Sequence, residues 1–314
     1  MELPRPAPFR PALWAPGPHF QTILSDRVKT PMVPVPGTPE FLEVEPGEKL
    51  RLEVAEGLTD TVIVLLHGLG GNAGSYYLRR SAARAVARGH GVISVNHRGT
   101  GLGRGLARKP YHCGATKDVA AVIAHARQRF PGRKIIAVGF SLSAAMLVLL
   151  TGRDHHLAQP DAAMAVNPPG DLDVCSLRML HGLNRVYDLR FLKLMHEHVA
   201  GVPDAPDLPD LHSLRDFDEA YTAPQAGFAS RQDYYARCSC GPYLAGIQRP
   251  FVLLASLDDP FAPASDLGPI SPSVHAHIER QGGHCGYLGS EPGGGFRWMN
   301  YAVEHYIETL RSRI

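Results

Sequence analysis

Residues 134–144 read Lys134-Ile135-Ile136-Ala137-Val138-Gly139-Phe140-Ser141-Leu142-Ser143-Ala144. An apolar, β-branched run ends at Gly139-Phe140, a serine follows, and an apolar stretch of helical composition, 142–150, begins at once. This strand–turn–helix spacing is the nucleophile elbow, G-x-S-x-G, with Ser143 where the second glycine usually stands. The reason for the pattern is steric. A serine on a strained turn projects its hydroxyl from the sheet edge. Small residues two places before and after it let the helix approach the strand. Alone, so short a pattern is weak, because a serine that only caps a helix reads the same. Its setting must decide.

Outward from the elbow, strand-like and helix-like stretches alternate. Residues 61–66, 91–96, 162–167, 250–255 and 274–278 are short apolar runs of the kind that suits strands buried on both faces. Between and after them, 75–88, 116–130 and 296–310 carry helical patterns. The alternation predicts βαβ units with right-handed crossovers. The fold class expected is α/β, a mainly parallel twisted sheet flanked by helices. Before it, the extended runs 41–44 and 50–54 flank Pro46-Gly47 and predict an antiparallel hairpin. The regularity breaks between Pro168 and Arg249, a block rich in Pro, Asp, His and aromatics with one clear helical piece at 183–198. The expected organisation is a core of residues 1–168 and 249–314, with 169–248 inserted as a lid over one end of the sheet. Tyr187, Phe191, Phe217, Tyr221, Phe228, Tyr234 and Tyr235 would give that lid an apolar underside.

Two partners stand behind Ser141 in the order the elbow requires, acid and then histidine. Leu257-Asp258-Asp259-Pro260 follows the run 250–255, and Gly282-Gly283-His284-Cys285-Gly286 follows 274–278. Both lie beyond the C-terminal ends of strands, where open α/β sheets place their sites. A serine hydroxyl is a poor nucleophile at neutral pH. His284 would take its proton as general base and return one to the leaving group, while a carboxylate holds the imidazole tautomer. Asp259 is favoured for the acid because it directly precedes Pro260, which would fix the turn; Asp258 competes with it. An acyl-transfer intermediate also needs oxyanion donors. The backbone N–H of Leu142 and that of Leu69, in the loop His67-Gly68-Leu69-Gly70-Gly71, are the candidates. That loop lacks the Lys-Ser/Thr of a phosphate cradle, and His67 reads as a structural loop residue.

Composition narrows the alternatives. The 32 basic and 30 acidic residues leave a net charge of +2 with no long basic run, which disfavours nucleic acid as a partner. No run of about 18 apolar residues suggests a membrane span, and Met1–Trp14 has no apolar signal core. The expectation is a cytoplasmic protein, with peripheral membrane contact if a lid touches lipid, and with the oligomeric state open. Five cysteines in so long a chain do not suggest a disulfide framework. Cys238-Ser239-Cys240 and His196-Glu197-His198 lack zinc-type spacing and are read as ordinary residues.

With these pieces in place, the sequence resembles the α/β-hydrolase superfamily. More narrowly it resembles the YheT-like, EMB8-like and ABHD1/2/3-like hydrolases. Pro18-His19-Phe20-Gln21-Thr22-Ile23 looks like that family's N-terminal G-H-L-Q-T-I box, with Pro18 and Phe20 as departures. Asn96-His97-Arg98-Gly99-Thr100-Gly101 and Tyr111-His112-Cys113-Gly114-Ala115-Thr116-Lys117-Asp118 resemble its core boxes. Phe217-Asp218-Glu219-Ala220-Tyr221-Thr222-Ala223-Pro224 and Asp233-Tyr234-Tyr235 resemble its lid boxes. The resemblance implies an α/β-hydrolase fold and a Ser141–Asp259–His284 triad. It implies esterase- or lipase-like action on small-molecule or lipid carboxylic esters, with no cofactor; that no metal is expected rests on the ligand spacing above. An acyltransferase, thioesterase or amidase on the same triad, or a binding protein on a hydrolase fold, are the competing functions.

Overall fold

The computed structural model describes residues 1–28, 33–202 and 205–314. Eight strands form one sheet in the order β1-β2-β4-β3-β5-β6-β7-β8. They are β1 (Thr38–Glu45), β2 (Glu48–Ala55), β3 (Thr61–Leu66), β4 (Gly91–Asn96), β5 (Lys134–Phe140), β6 (Ala162–Val166), β7 (Phe251–Ser256) and β8 (Val274–Glu279). β2 runs antiparallel to β1 and β4, and the remaining pairs are parallel. The hairpin turns at Pro46-Gly47, where Gly47 takes φ +79°.

The continuous apolar runs have a simple cause. Every residue of β3, β4 and β7 is buried, because helices cover both faces of the sheet. Strand alternation then sorts the side chains into two cores. Val62, Val64 and Leu66 join the layer under α3 (Thr116–Arg129) and α4 (Leu142–Gly152). Ile63 and Leu65 join the layer under α2 (Tyr76–Ala87) and α10 (Trp298–Arg311). Helix α4 is apolar nearly all round, and Leu142 to Thr151 are all buried, so it is the central helix rather than a surface one. Truncating a leucine such as Leu147 there would cost about 2–5 kcal/mol.

Two sequence boxes meet in this core. The Arg98 guanidinium forks onto Asp118 at 2.6 and 2.7 Å and reaches Glu48 at 3.2 Å, all of them buried. Such a bidentate pair fixes geometry as well as charge. It ties the end of β4 to the first turn of α3.

A helix not expected from the sequence precedes the hairpin. Residues Gly17–Arg27 form a helix, α1, begun by Pro16 and Pro18 around its first turn. Between β6 and β7 the single expected helix becomes several. They are α5 (Leu172–Met179), α6 (Arg185–Val199), α7 (Leu214–Phe217), a π turn (Asp218–Thr222), α8 (Ala223–Gln225) and α9 (Arg231–Cys238). A short 3₁₀ turn, Gly182–Asn184, precedes α6, so the predicted helix 183–198 is present with its first turn tightened. Three of the others, α5, α7 and α9, announce themselves only through their caps. Asp171, Ser213 and Ser230 accept from Val174, Asp216 and Asp233 backbone N–H groups. The carboxylates of Asp216 and Asp233 reach back to the His212 and Ala229 amides.

Candidate active site

Ser141 sits between β5 and α4 with φ +52° and ψ −118°, a region that costs a non-glycine residue about 1–3 kcal/mol. Its N–H donates to the Val166 carbonyl at 2.8 Å, and its carbonyl accepts from Ala144 at 2.9 Å. The elbow's glycine is required at one position only. A Cβ on Gly139 would stand 2.4 Å from the Ser143 carbonyl oxygen. Ser143 is fully buried, and its hydroxyl is bonded to the His67 carbonyl and, at 2.8 Å, to His97 Nε2. The departure from glycine thus carries its own polar partners.

The three residues separated in sequence come together. Ser141 Oγ lies 2.7 Å from His284 Nε2, and His284 Nδ1 lies 2.7 Å from Asp259 Oδ2. The other oxygen, Asp259 Oδ1, accepts from Phe261 and Ala262 N–H at 3.2 and 2.9 Å. Burial works against ionising Asp259, but the imidazole and the two amides outweigh it and hold the carboxyl below its usual range. An ionised Asp259 keeps the proton on Nδ1, leaving Nε2 free to accept from Ser141. The ring of Phe261 packs on that of His284 at 4.3 Å, walling the pair from water. Asp258 points elsewhere. Its Oδ1 accepts from Gly283 N–H at 2.9 Å, so it ties down the loop that carries His284.

The loop after β3 shows which amide is available. Gly68 N–H donates to Tyr77, Gly70 N–H to Tyr111, and Gly71 N–H to the Gly68 carbonyl. Of the four amides from Gly68 to Gly71, the Leu69 N–H is the one without an acceptor among the described residues. Leu142 is the first residue of α4, and its amide has no intrahelical acceptor. Leu69, Ser141, Leu142 and His284 all border one cavity, which with its open mouth included spans about 810 Å³. His67 is fully buried and bonded to the Gly68 carbonyl and Thr100; burial pushes its pKa down to about 4. It is a neutral structural residue.

The remaining cavity wall is mostly apolar and comes largely from the stretch between β6 and β7: Leu172, Met179, Phe191, Met195, Phe217 and Tyr221. Tyr187 instead packs on Phe261 and His19, and Phe228 lies in a different depression. All five cysteines are free and buried. Among the described residues, no group of three or more His, Cys, Asp or Glu is placed to hold a metal, and no helix is long and apolar enough to cross a membrane.

Sequence reasoning missed the structural role of α1. Thr22 Oγ1 accepts the His284 backbone N–H at 2.9 Å. Gln21 bonds both the N–H and the carbonyl of Leu288. A Cβ on Gly283 would meet the Pro18 carbonyl at 2.5 Å, so the glycine beside His284 lets α1 come close. The Pro18–Ile23 box was visible in the sequence. Nothing local to it showed what it would touch.

A strand-borne serine at a strained turn, facing a histidine and an aspartate from later strand ends, is the arrangement of a hydrolase built on an α/β sheet. The model of the alpha/beta hydrolase family matches residues 63–296, and the chain belongs to that family. It is 28% identical over 259 residues to a protein named "Putative esterase YheT" of Escherichia coli (strain K12), covering 79% of this chain and 76% of that one. It is 25% identical over 303 residues to Phospholipase ABHD3 of Homo sapiens, covering 89% of this chain and 73% of that one. The Pyrococcus furiosus esterase Pf2001 shares the fold with a TM-score of 0.58 at 15% identity, over 87% of this chain and 92% of that one.

Proposed function

We propose that this protein is a serine hydrolase of carboxylic esters that works through an acyl-enzyme. The observation that carries the reading is the unbroken relay Ser141 Oγ, His284, Asp259, with 2.7 Å at each contact. His284 Nε2 takes the serine proton as Oγ attacks the ester carbonyl carbon. The Leu69 and Leu142 amides receive the developing oxyanion. His284 then protonates the departing alcohol, and water repeats the sequence on the acyl-enzyme. Residues 169–248 act as a cap on the core formed by 1–168 and 249–314. Their apolar wall points to an acyl chain or similarly apolar ester, and the chemistry asks for no cofactor. Relatives named as an esterase and a phospholipase support ester-bond substrates of this kind.

The test is fluorophosphonate labelling with a panel of p-nitrophenyl esters of increasing chain length, run on the wild type and Ser141→Ala. Loss of the nucleophile should lower kcat by ~10⁴ or more with the fold kept. A Ser141→Ala variant above a tenth of the wild-type rate would overturn the assignment. Product analysis with water against an alcohol or amine acceptor separates hydrolysis from acyl transfer.

A further inference from the structure

Beyond β6 the next residue, Asn167, is fully buried and held at φ +48°. Its backbone N–H donates to the Leu254 carbonyl at 2.8 Å. Its side chain spans three groups. Nδ2 donates to Asp259 Oδ2 at 2.8 Å and to the Gly283 carbonyl at 3.3 Å, and Oδ1 accepts from the Tyr287 hydroxyl at 2.9 Å. Asp259 Oδ2 is the oxygen that also receives His284 Nδ1–H.

The two ends of an amide are alike in shape and opposite in polarity. Turned around, Asn167 would aim its oxygen at an ionised carboxylate. A hydroxyl donating to Oδ1 selects the other orientation. Tyr287 is itself fully buried at φ +40°, with its ring against Phe9 and Trp298. Gly282 makes room for it, since a Cβ there would stand 2.4 Å from the ring. Neither Asn167 nor Tyr287 borders the cavity that holds Ser141.

We propose that Asn167 and Tyr287 are positioning residues for the triad. Tyr287 orients the Asn167 amide, and Asn167 fixes the Asp259 oxygen that faces His284. The inference rests on the ester-hydrolase reading above. Without the Asn167 donor, Oδ2 keeps only the imidazole. It becomes more basic, so it holds the imidazolium more strongly and raises the apparent pKa of the base. The carboxylate is also freer to turn away from the productive geometry. Both effects act on turnover rather than on substrate binding.

Other titratable groups face Asp259. Cys285 and Tyr287 come from the loop after β8, and Cys175, Arg178 and Tyr187 from α5 and α6. Burial pushes the thiols and phenols up, away from the neutral range. Asp266 keeps Arg178 charged. Burial also raises Asp258, so an Asp258→Asn control identifies its share of any acid limb.

The experiment measures kcat, KM and the pH profile of p-nitrophenyl ester hydrolysis for Asn167→Ala and Tyr287→Phe. Rates are expressed per fluorophosphonate-labelled site, so that misfolded protein does not count. Asn167→Ala should lower kcat by about 10- to 100-fold. KM should stay within about twofold, and the acid limb of kcat/KM should move to higher pH. Tyr287→Phe should shift both in the same direction by less. Per-site kcat and acid limb unchanged in both variants, or a change confined to KM, would overturn the proposal. If Asn167→Ala yields no folded protein, the near-isosteric Tyr287→Phe decides. A wild type that neither labels nor hydrolyses any ester would remove the ester-hydrolase reading itself, which is a different failure.

Discussion

The Thr22 hydroxyl accepts the backbone N–H of His284 at 2.9 Å and donates to the Pro18 carbonyl at 2.7 Å. The loop of the proposed base is therefore moored to a helix at the other end of the chain. Thr22→Val keeps the shape of the side chain and removes both bonds. A part-buried amide left unpaired costs about 1–3 kcal/mol. The expected outcome is a lower Tm and a several-fold lower kcat with KM unchanged, read by thermal unfolding and ester kinetics. Equal kcat in the two proteins would show that the mooring does not place His284.

Ser143 supplies a second check. Ser143→Gly restores the usual elbow glycine but strips His97 Nε2 and the His67 carbonyl of a buried partner. His97 Nδ1 already has none among the described residues. The loss should be about 1–3 kcal/mol, to which glycine in the first turn of α4 adds a further penalty. Calorimetry should show Tm lowered by several degrees. A variant more stable than the wild type would mean the serine is only tolerated.

The cavity wall makes a prediction that separates two aromatic residues on one helix. Phe191 borders the cavity and Tyr187 does not. Phe191→Ala should move the optimum of the ester panel toward longer acyl chains, since each added buried methylene contributes about 0.8 kcal/mol, or roughly fourfold in kcat/KM. Tyr187→Ala should lower stability and leave the optimum in place. The reverse pattern would put the acyl chain on the other side of α6.

Acid should unfold this protein early. His67, His97 and His198 are buried, and desolvation depresses all three, to about 4 for His67 and His198. An unfolded histidine titrates near 6.5. Between these values the unfolded chain binds more protons than the folded one, so stability rises with pH across that window and is lost as pH falls through it. Asp259, depressed in the fold, adds to the loss at still lower pH. Urea midpoints measured from pH 7 to 4 should fall steadily. A midpoint independent of pH over that range would show that these histidines are not buried as described.

The reading from sequence was strongest where structure is local. The runs 61–66, 91–96 and 134–140 became strands with those bounds, because a strand covered on both faces cannot hide its apolar continuity. The turn at Ser141 and the chain order serine, aspartate, histidine followed from the same alternation of strand and helix. α1 and, apart from α6, the helices between β6 and β7 were harder. They are short and weakly amphipathic, and their burial depends on surfaces supplied by other parts of the chain.

What only the tertiary structure decided is finer and mostly polar. Asp258 and Asp259 differ by one position, and their side chains serve different partners. Leu69 is singled out because Tyr77 and Tyr111, from elsewhere in the fold, occupy its neighbours' amides. Asn167 meets Asp259 across 92 residues, and Thr22 meets His284 across 262. Hydrophobic periodicity records which side of an element faces inward. It carries no information about which distant acceptor a buried donor will find, and in this site those pairings set the direction of each polar group.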